Sequence, residues 1–364
     1  MKQTLFLLFL AVSGLSLFGL VMLYSTVLTP ADAHRFHWQL AFFGAGLPVM
    51  GLLIWMDYRW LAQRPVLYLL AGICVVLLLA VLIPGVGVRS HGASRWLRGL
   101  GQPSEFAKPV LVILLAARLA RQDLPLAGDG GRAFFLTLLL GGVPAFLIFA
   151  EPDWGTAILL GMLTFAMLLL AGARWPHLAL TGFGLVSVFT LLLAYNPLRL
   201  MRFLIFLNPQ AHEQGAGWQI WQGLIAIGSG GWRGHFLDGS IHKYGFVPEQ
   251  QTDYIFTCVG EETGLIGTTL VLLFYLGVLR CGWHIMKQAG DRFGFFLAGG
   301  CTMVILLQAG LNIAVNTSLI PCKGLPLPFM SYGGSGLLAM FICAGLLGSV
   351  AWHSRPGRDS SRPR

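Results

Sequence analysis

The chain has 364 residues, 56% of them hydrophobic and only 11% charged, with a mean hydropathy of +0.72 and a formal net charge of +9. This composition excludes a soluble globular domain, and it makes the positive charge a matter of membrane orientation rather than a nucleic-acid footprint. Apolar runs of about 17–25 residues, the length that crosses a bilayer core, recur along the whole chain and predict an all-α integral membrane protein.

The first run, "MKQTLFLLFLAVSGLSLFGLVMLY", is too long for a signal peptide and further runs follow, so it reads as an uncleaved first span. Ten spans are predicted, near 4–25, 37–55, 66–83, 105–120, 133–150, 154–173, 177–195, 256–279, 293–316 and 334–352. An even number puts both termini on one side. Fourteen of the 24 Lys and Arg fall on that side, four of them in the tail (Arg355, Arg358, Arg362 and Arg364), which makes it the cytoplasm. The loops 84–104, 196–255 and 317–333 are then outer loops, the longest lying between spans seven and eight. The expected organisation is one polytopic domain, 1–354, with a short basic tail, 355–364.

The first outer loop, "GVGVRSHGASRWLRGLGQPSEFAKP", carries Arg89, Arg95, Arg98 and Trp96, a set that suits interfacial anchoring as well as a polar site. Gln102 and Ser104 lead into the fourth span, where Glu105 and Lys108 stand three apart and share a helix face. An ionisable pair within a span faces the bundle interior or an aqueous cavity. Pro109 fits the first turn of that helix. In "AEPDWGTA", Asp153 is placed to cap the sixth span, whereas Glu151 has no capping role. The middle outer loop opens with "NPLRLMRFLIFLNP", whose Arg199 and Arg202 in an apolar background predict a helix in the headgroup layer.

The segment "VPEQQTDYIFTCVGEETGLIG" then gathers Glu249, Asp253, Glu261 and Glu262, four of the fifteen carboxylates, against a long apolar run. Glu261 and Glu262 are expected to face inward and pair with cations, the lysines at hand being Lys108, Lys243 and Lys323. In "PCKGLPLPFMSYGGSG", three prolines and four glycines forbid one regular helix, and irregular backbone near membrane depth must be buried in protein or line a cavity. Lys323 there is a candidate anion contact. The six cysteines show no metal spacing, and Cys258–Cys322 is the one conceivable bridge. The residues leave two classes open: an enzyme using an acid/base carboxylate on a lipid-linked polar substrate, or a transporter. Crowding of motifs on one face favours the enzyme.

The strings "GASRW", "QPSEFAK", "EPDWGTA", "IAIGSGG", "VPEQQTDYIF", "EETGLIG" and "KGLPLPFMSYGGSG" occur in the order seen in the SEDS family (shape, elongation, division and sporulation), which the chain resembles over nearly its whole length. The spacing around Ser240 and Lys243, the Lys-Gly at 323–324 and "IPGVGVRSHGASRW" are closer to the family's division type, FtsW, than to its elongation type, RodA. The resemblance implies a peptidoglycan glycosyltransferase that polymerises lipid II on the outer face of the cytoplasmic (inner) membrane. It also implies a class B penicillin-binding partner (FtsI-like) and other divisome proteins. It makes Asp253 the catalytic base, taking the proton of an acceptor sugar hydroxyl while undecaprenyl diphosphate leaves. Arg95, Trp96, Gln102, Ser104, Glu105, Lys108, Glu151, Asp153, Lys243, Glu249 and Lys323 become cavity or substrate-binding residues. Basic groups or a divalent cation (Mg or Mn) would stabilise the diphosphate, with no organic cofactor. The chain departs from the family pattern in Gln251, Tyr254 and Asn208 and in a first outer loop about three residues shorter. Lipid II translocation, an older reading of the family, is the alternative of a different class.

Overall fold

A computed structural model describes residues 1–27, 30–90, 93–99, 101–121, 131–194, 201, 203, 205–212, 217–235, 250–321 and 324–354. The helices are α1 (Lys2–Ser25), α2 (Pro30–Trp55), α3 (Arg64–Leu82), α4 (Pro103–Ala120), α5 (Gly131–Ala150), α6 (Trp154–Leu170), α7 (Trp175–Ala194), α8 (Trp218–Ser229), α9 (Ile255–Lys287), α10 (Arg292–Asn316) and α11 (Gly334–His353). Every predicted span overlaps one of them, α8 being the addition. Among the described residues, seven helices (α1, α2, α3, α5, α9, α10 and α11) are long and apolar enough to cross a membrane, and α6 is a shorter apolar helix.

Boundaries differ where polar residues extend a helix past its apolar run. α2 begins at Pro30 rather than near 37, its first turn closed by Asp32, which pairs with Arg35 at 3.4 Å. α4 begins at Pro103, so Pro109 lies inside the helix and not in its first turn. There it withholds an N–H from the Glu105 carbonyl. The first outer loop is not plain coil. Strands β1 (Gly87–Ser90) and β2 (Ala93–Leu97) pair antiparallel, Gly87 opposite Leu97 and Val88 opposite Trp96, with an irregularity after Val88. In the long loop, Met201, Phe203 and Ile205–Leu207 are helical, while Arg199 and Arg202 lie outside the described residues.

α10 and α11 form the centre. α11 packs on α2, and α10 on α4, α6 and α9, while α1 closes against α9. Their buried apolar residues form one continuous core. Large apolar side chains such as Phe6 and Leu10 on α1, Tyr68 on α3 and Leu273 on α9 are exposed, as a lipid-facing surface requires.

The two ends of the bundle differ. At one, the buried Tyr58 donates to Asp291 Oδ2 at 2.5 Å, Arg59 Nε donates to the same oxygen at 3.0 Å, and Asp291 Oδ1 caps α10 by accepting from the Gly294 N–H at 2.7 Å. Burial works to raise the Asp291 pKa, but the Tyr58 and Gly294 hydrogen bonds and the Arg59 guanidinium outweigh it and hold the carboxyl below its usual range. The other end gathers the polar motifs.

Candidate active site

Asp253 stands just before α9, partly exposed, at the edge of a buried polar network. In an unbroken helix its carbonyl would accept from the Thr257 N–H. Instead it accepts from Asn312 Nδ2 at 2.8 Å and Asn316 Nδ2 at 2.9 Å. The Thr257 N–H goes to Asn316 Oδ1 at 3.2 Å and to the Tyr254 carbonyl at 3.0 Å, and the Thr257 hydroxyl donates to the same Asn316 oxygen at 2.8 Å. Asn312 and Asn316 are buried. They sit on one face of α10 with Gln308, each four residues from the next. Sequence reasoning missed all three, although amides at 308, 312 and 316 in an apolar span were a readable signal.

The same amides hold the irregular segment before α11. Asn312 Nδ2 donates to the Leu325 carbonyl at 2.7 Å and Gln308 Nε2 to the Pro326 carbonyl at 2.8 Å. Tyr275 of α9 donates to the Pro328 carbonyl at 2.7 Å, and the Leu327 N–H is taken by Ser331 Oγ at 2.7 Å. Residues 325–331 are thus largely buried, with backbone groups at 325–328 met by side chains, the form expected of non-helical backbone at membrane depth. The glycine at 324 lets Asp253 in: a Cβ there would stand 2.8 Å from Asp253 Oδ2. A Cβ on Gly155, near the start of α6, would lie 3.0 Å from the Gly324 carbonyl oxygen. The α6 turn therefore reaches the same place.

The Glu105–Lys108 pair forms as its spacing implies. Lys108 Nζ lies 2.7 Å from each Glu105 oxygen and 2.7 Å from Gln308 Oε1, and it is wholly buried. Its three protons are all engaged. Asp153 does cap α6, Oδ1 accepting from the Thr156 N–H at 3.3 Å, and its other oxygen accepts from Gln102 at 3.0 Å and Ser104 at 3.3 Å. The motifs of the first outer loop and of the α5–α6 turn are thereby joined, and Arg95 adds a bond from Nη2 to the Pro152 carbonyl. Trp96, beside it, is exposed. Glu151 is buried with no hydrogen-bond partner for either oxygen among the described residues, and Arg95 Nε is likewise unpaired. Burial first, and Asp153 second, push the Glu151 carboxyl up to about 8 against the pull of Arg95.

Glu261 and Glu262 are buried, as expected, and Glu262 Oε1 accepts from the Ser25 hydroxyl of α1 at 2.6 Å. Lys108 does not serve them, being committed to Glu105. Gln251 ties the Asp253 segment to α2, donating to Asp32 at 3.0 Å and accepting from Arg35 at 3.1 Å. Lys243, Glu249, Lys323 and Cys322 lie outside the described residues, and with Cys322 any bridge to Cys258. No group of three or more His, Cys, Asp or Glu among the described residues could hold a metal ion.

The arrangement is a partly exposed carboxylate at one end of a helical bundle, where several buried polar groups gather and some have no hydrogen-bond partner among the described residues. The sequence model of the FtsW, RodA and SpoVE cell cycle proteins matches residues 3–356. Stage V sporulation protein E of Bacillus subtilis is 39% identical over 351 residues, covering 93% of this chain and 94% of that protein. A Trichlorobacter lovleyi protein named "probable peptidoglycan glycosyltransferase FtsW" is 37% identical over 358 residues, covering 94% and 92%. Among solved structures, a chain from work on polymerization and crosslinking by a peptidoglycan synthase complex superposes with a TM-score of 0.78 at 26% identity, covering 96% of this chain and 98% of that one. The rod shape determining protein RodA of Thermus thermophilus gives 0.69 at 26% identity, covering 96% and 97%. The chain belongs to the FtsW/RodA/SpoVE family of cell cycle proteins, the SEDS family its motifs resemble.

Proposed function

We propose that the chain is a peptidoglycan glycosyltransferase of the FtsW type, polymerising lipid II at the outer face of the cytoplasmic membrane for septal wall synthesis. The observation that carries this reading is Asp253, a carboxylate held off the end of α9, partly exposed, and set against Gly324 where the polar motifs converge. The names of the relatives support the activity. Asp253 takes the proton of the acceptor sugar's 4-hydroxyl, and that oxygen attacks the donor's anomeric carbon. The bond to the diphosphate breaks, and undecaprenyl diphosphate leaves with the electron pair. Arg95 and the neighbouring Arg98, with Lys323 next to Gly324 in sequence, would meet the growing negative charge. The described residues offer no ready donor set for a divalent ion, and no step is assigned to one. Ten spans, cytoplasmic termini and a class B penicillin-binding partner complete the reading. The partner is supported by the synthase complex among the structural relatives.

The test is purified protein, with and without the penicillin-binding partner, given labelled lipid II. Wild-type chain should yield glycan polymer, and Asp253→Asn, which keeps the shape and removes the base, should lower the rate by about 100-fold or more. Wild-type protein that moves lipid II across a vesicle membrane and makes no polymer would favour translocation. An active Asp253→Asn would remove the base from Asp253.

A further inference from the structure

We infer that Asn316 is a positioning residue that keeps Asp253 out of helix α9, with Asn312 as its second hand. The inference rests on the reading of Asp253 as the base.

The geometry is an intercalated amide. The bond that would draw residue 253 to the N-cap of α9 runs from the Thr257 N–H to the Asp253 carbonyl. Asn316 meets both halves with one side chain: its nitrogen donates to the Asp253 carbonyl at 2.9 Å, and its oxygen accepts at 3.2 Å from the Thr257 N–H, which it shares with the Tyr254 carbonyl at 3.0 Å. Which end of the amide is nitrogen follows from the partners, since a carbonyl can only accept and a backbone N–H can only donate. Asn312 then fills the second acceptor position on the Asp253 carbonyl and spends its other proton on the Leu325 carbonyl at 2.7 Å. The backbone of residue 253 is thereby fixed to the backbone of residue 325, next to the glycine against which the Asp253 carboxylate lies. Asn316 itself is steadied by its nitrogen's bond to the Asn312 carbonyl at 2.9 Å.

Burying two amides in a membrane helix is unfavourable unless every polar atom is met. A helix that simply began one residue earlier would satisfy the 253 carbonyl and the 257 N–H with no side chain at all. What the amides add is the location of residue 253, outside the helix and beside residues 324–325. Without Asn316 the ordinary bond can re-form, and Asp253 rotates onto α9 away from Gly324.

The test uses Asn316→Leu in the full chain with its partner and labelled lipid II. A displaced base should lower kcat by about 10–100-fold, the scale of a misplaced catalytic group. KM for lipid II should stay near wild type, and kcat should fall further than the amount of folded protein, because the new helical bond replaces only the 253 carbonyl and 257 N–H partners among the bonds of Asn316. Should Asn316→Leu not fold, Asn316→Asp keeps the acceptor for Thr257 and turns the donor facing the Asp253 carbonyl into an acceptor, and it should show the same split. A readout independent of polymerisation is the alkylation rate of Asp253→Cys by a water-soluble maleimide, corrected for labelling of the parent chain. That rate should change several-fold when Asn316→Leu is added. Wild-type kcat in a folded Asn316 variant, an unchanged alkylation rate, or activity lost only in proportion to folded protein would overturn the inference. If wild-type chain makes no polymer, the polymerase reading fails by itself, and the alkylation rates decide the positioning of residue 253.

Discussion

Lys108 shows how one side chain can look like a ligand contact and be built as something else. A lysine near the proposed diphosphate site invites the role of phosphate contact, yet its ammonium is wholly buried and its protons go to both Glu105 oxygens and to Gln308. Reaching a phosphate would require breaking a satisfied buried pair. Its role is to anchor: through Gln308, whose nitrogen holds the Pro326 carbonyl, α4 is fixed to the segment beside Asp253. Removing one partner strands the other charge without solvent. Lys108→Met or Glu105→Ala should therefore lower the unfolding free energy by about 3–5 kcal/mol. The pair Glu105→Ala/Lys108→Met should lose less than the sum, with a coupling of about 1–3 kcal/mol in a double-mutant cycle followed by thermal unfolding in detergent. Simple additivity would mean the two do not act as a pair. The spacing of 105 and 108 made this pair legible. Gln308, 200 positions away, could not be assigned to it from spacing.

Helix α9 is broken within its apolar run, and a neighbouring turn is seated in the break. Gly264 has φ +63° and ψ −156°, and the N–H groups that follow are capped from outside: Leu265 by the Gly231 carbonyl at 2.9 Å and Ile266 by the Trp232 carbonyl at 3.2 Å. The His235 N–H returns a bond to the Glu261 carbonyl at 3.1 Å. A Cβ on Gly264 would stand 2.5 Å from the Gly234 nitrogen, so neither the backbone angle nor the space admits a side chain. Gly264→Ala should destabilise by about 1–3 kcal/mol and expose the 230–235 turn, seen as faster amide exchange there. Exchange at the wild-type rate would show that the turn does not depend on the break. Both glycine-bearing strings, "IAIGSGG" and "EETGLIG", stood out as motifs. That they meet was not readable, because periodicity reports one helix at a time.

Taken whole, the bundle separates its chemistry from its anchoring. The Tyr58–Asp291–Arg59 cluster ties one end, the end we propose is cytoplasmic from the arginine bias, and the amides of α10 organise the other. A membrane-impermeant maleimide applied to intact cells should label Trp232→Cys, and should reach Gln288→Cys only after permeabilisation. Both side chains are exposed, so accessibility depends on the side of the membrane. Labelling in the reverse pattern would invert the orientation.

Hydropathy and charge bias were sufficient for the class of fold, the approximate spans and the end at which the polar motifs gather, since a bilayer selects on run length and flanking charge, both properties of local sequence. Motif order carried the family. The hairpin at 87–97, helix α8, the break at Gly264 and the Gln308–Asn312–Asn316 row were decided by tertiary structure. Each exists to satisfy backbone groups left open by another segment, and a carbonyl's partner is a matter of which chains meet in space. Asp253 could be named from its motif, but the carbonyl that fixes its place is held by side chains 59 and 63 residues downstream.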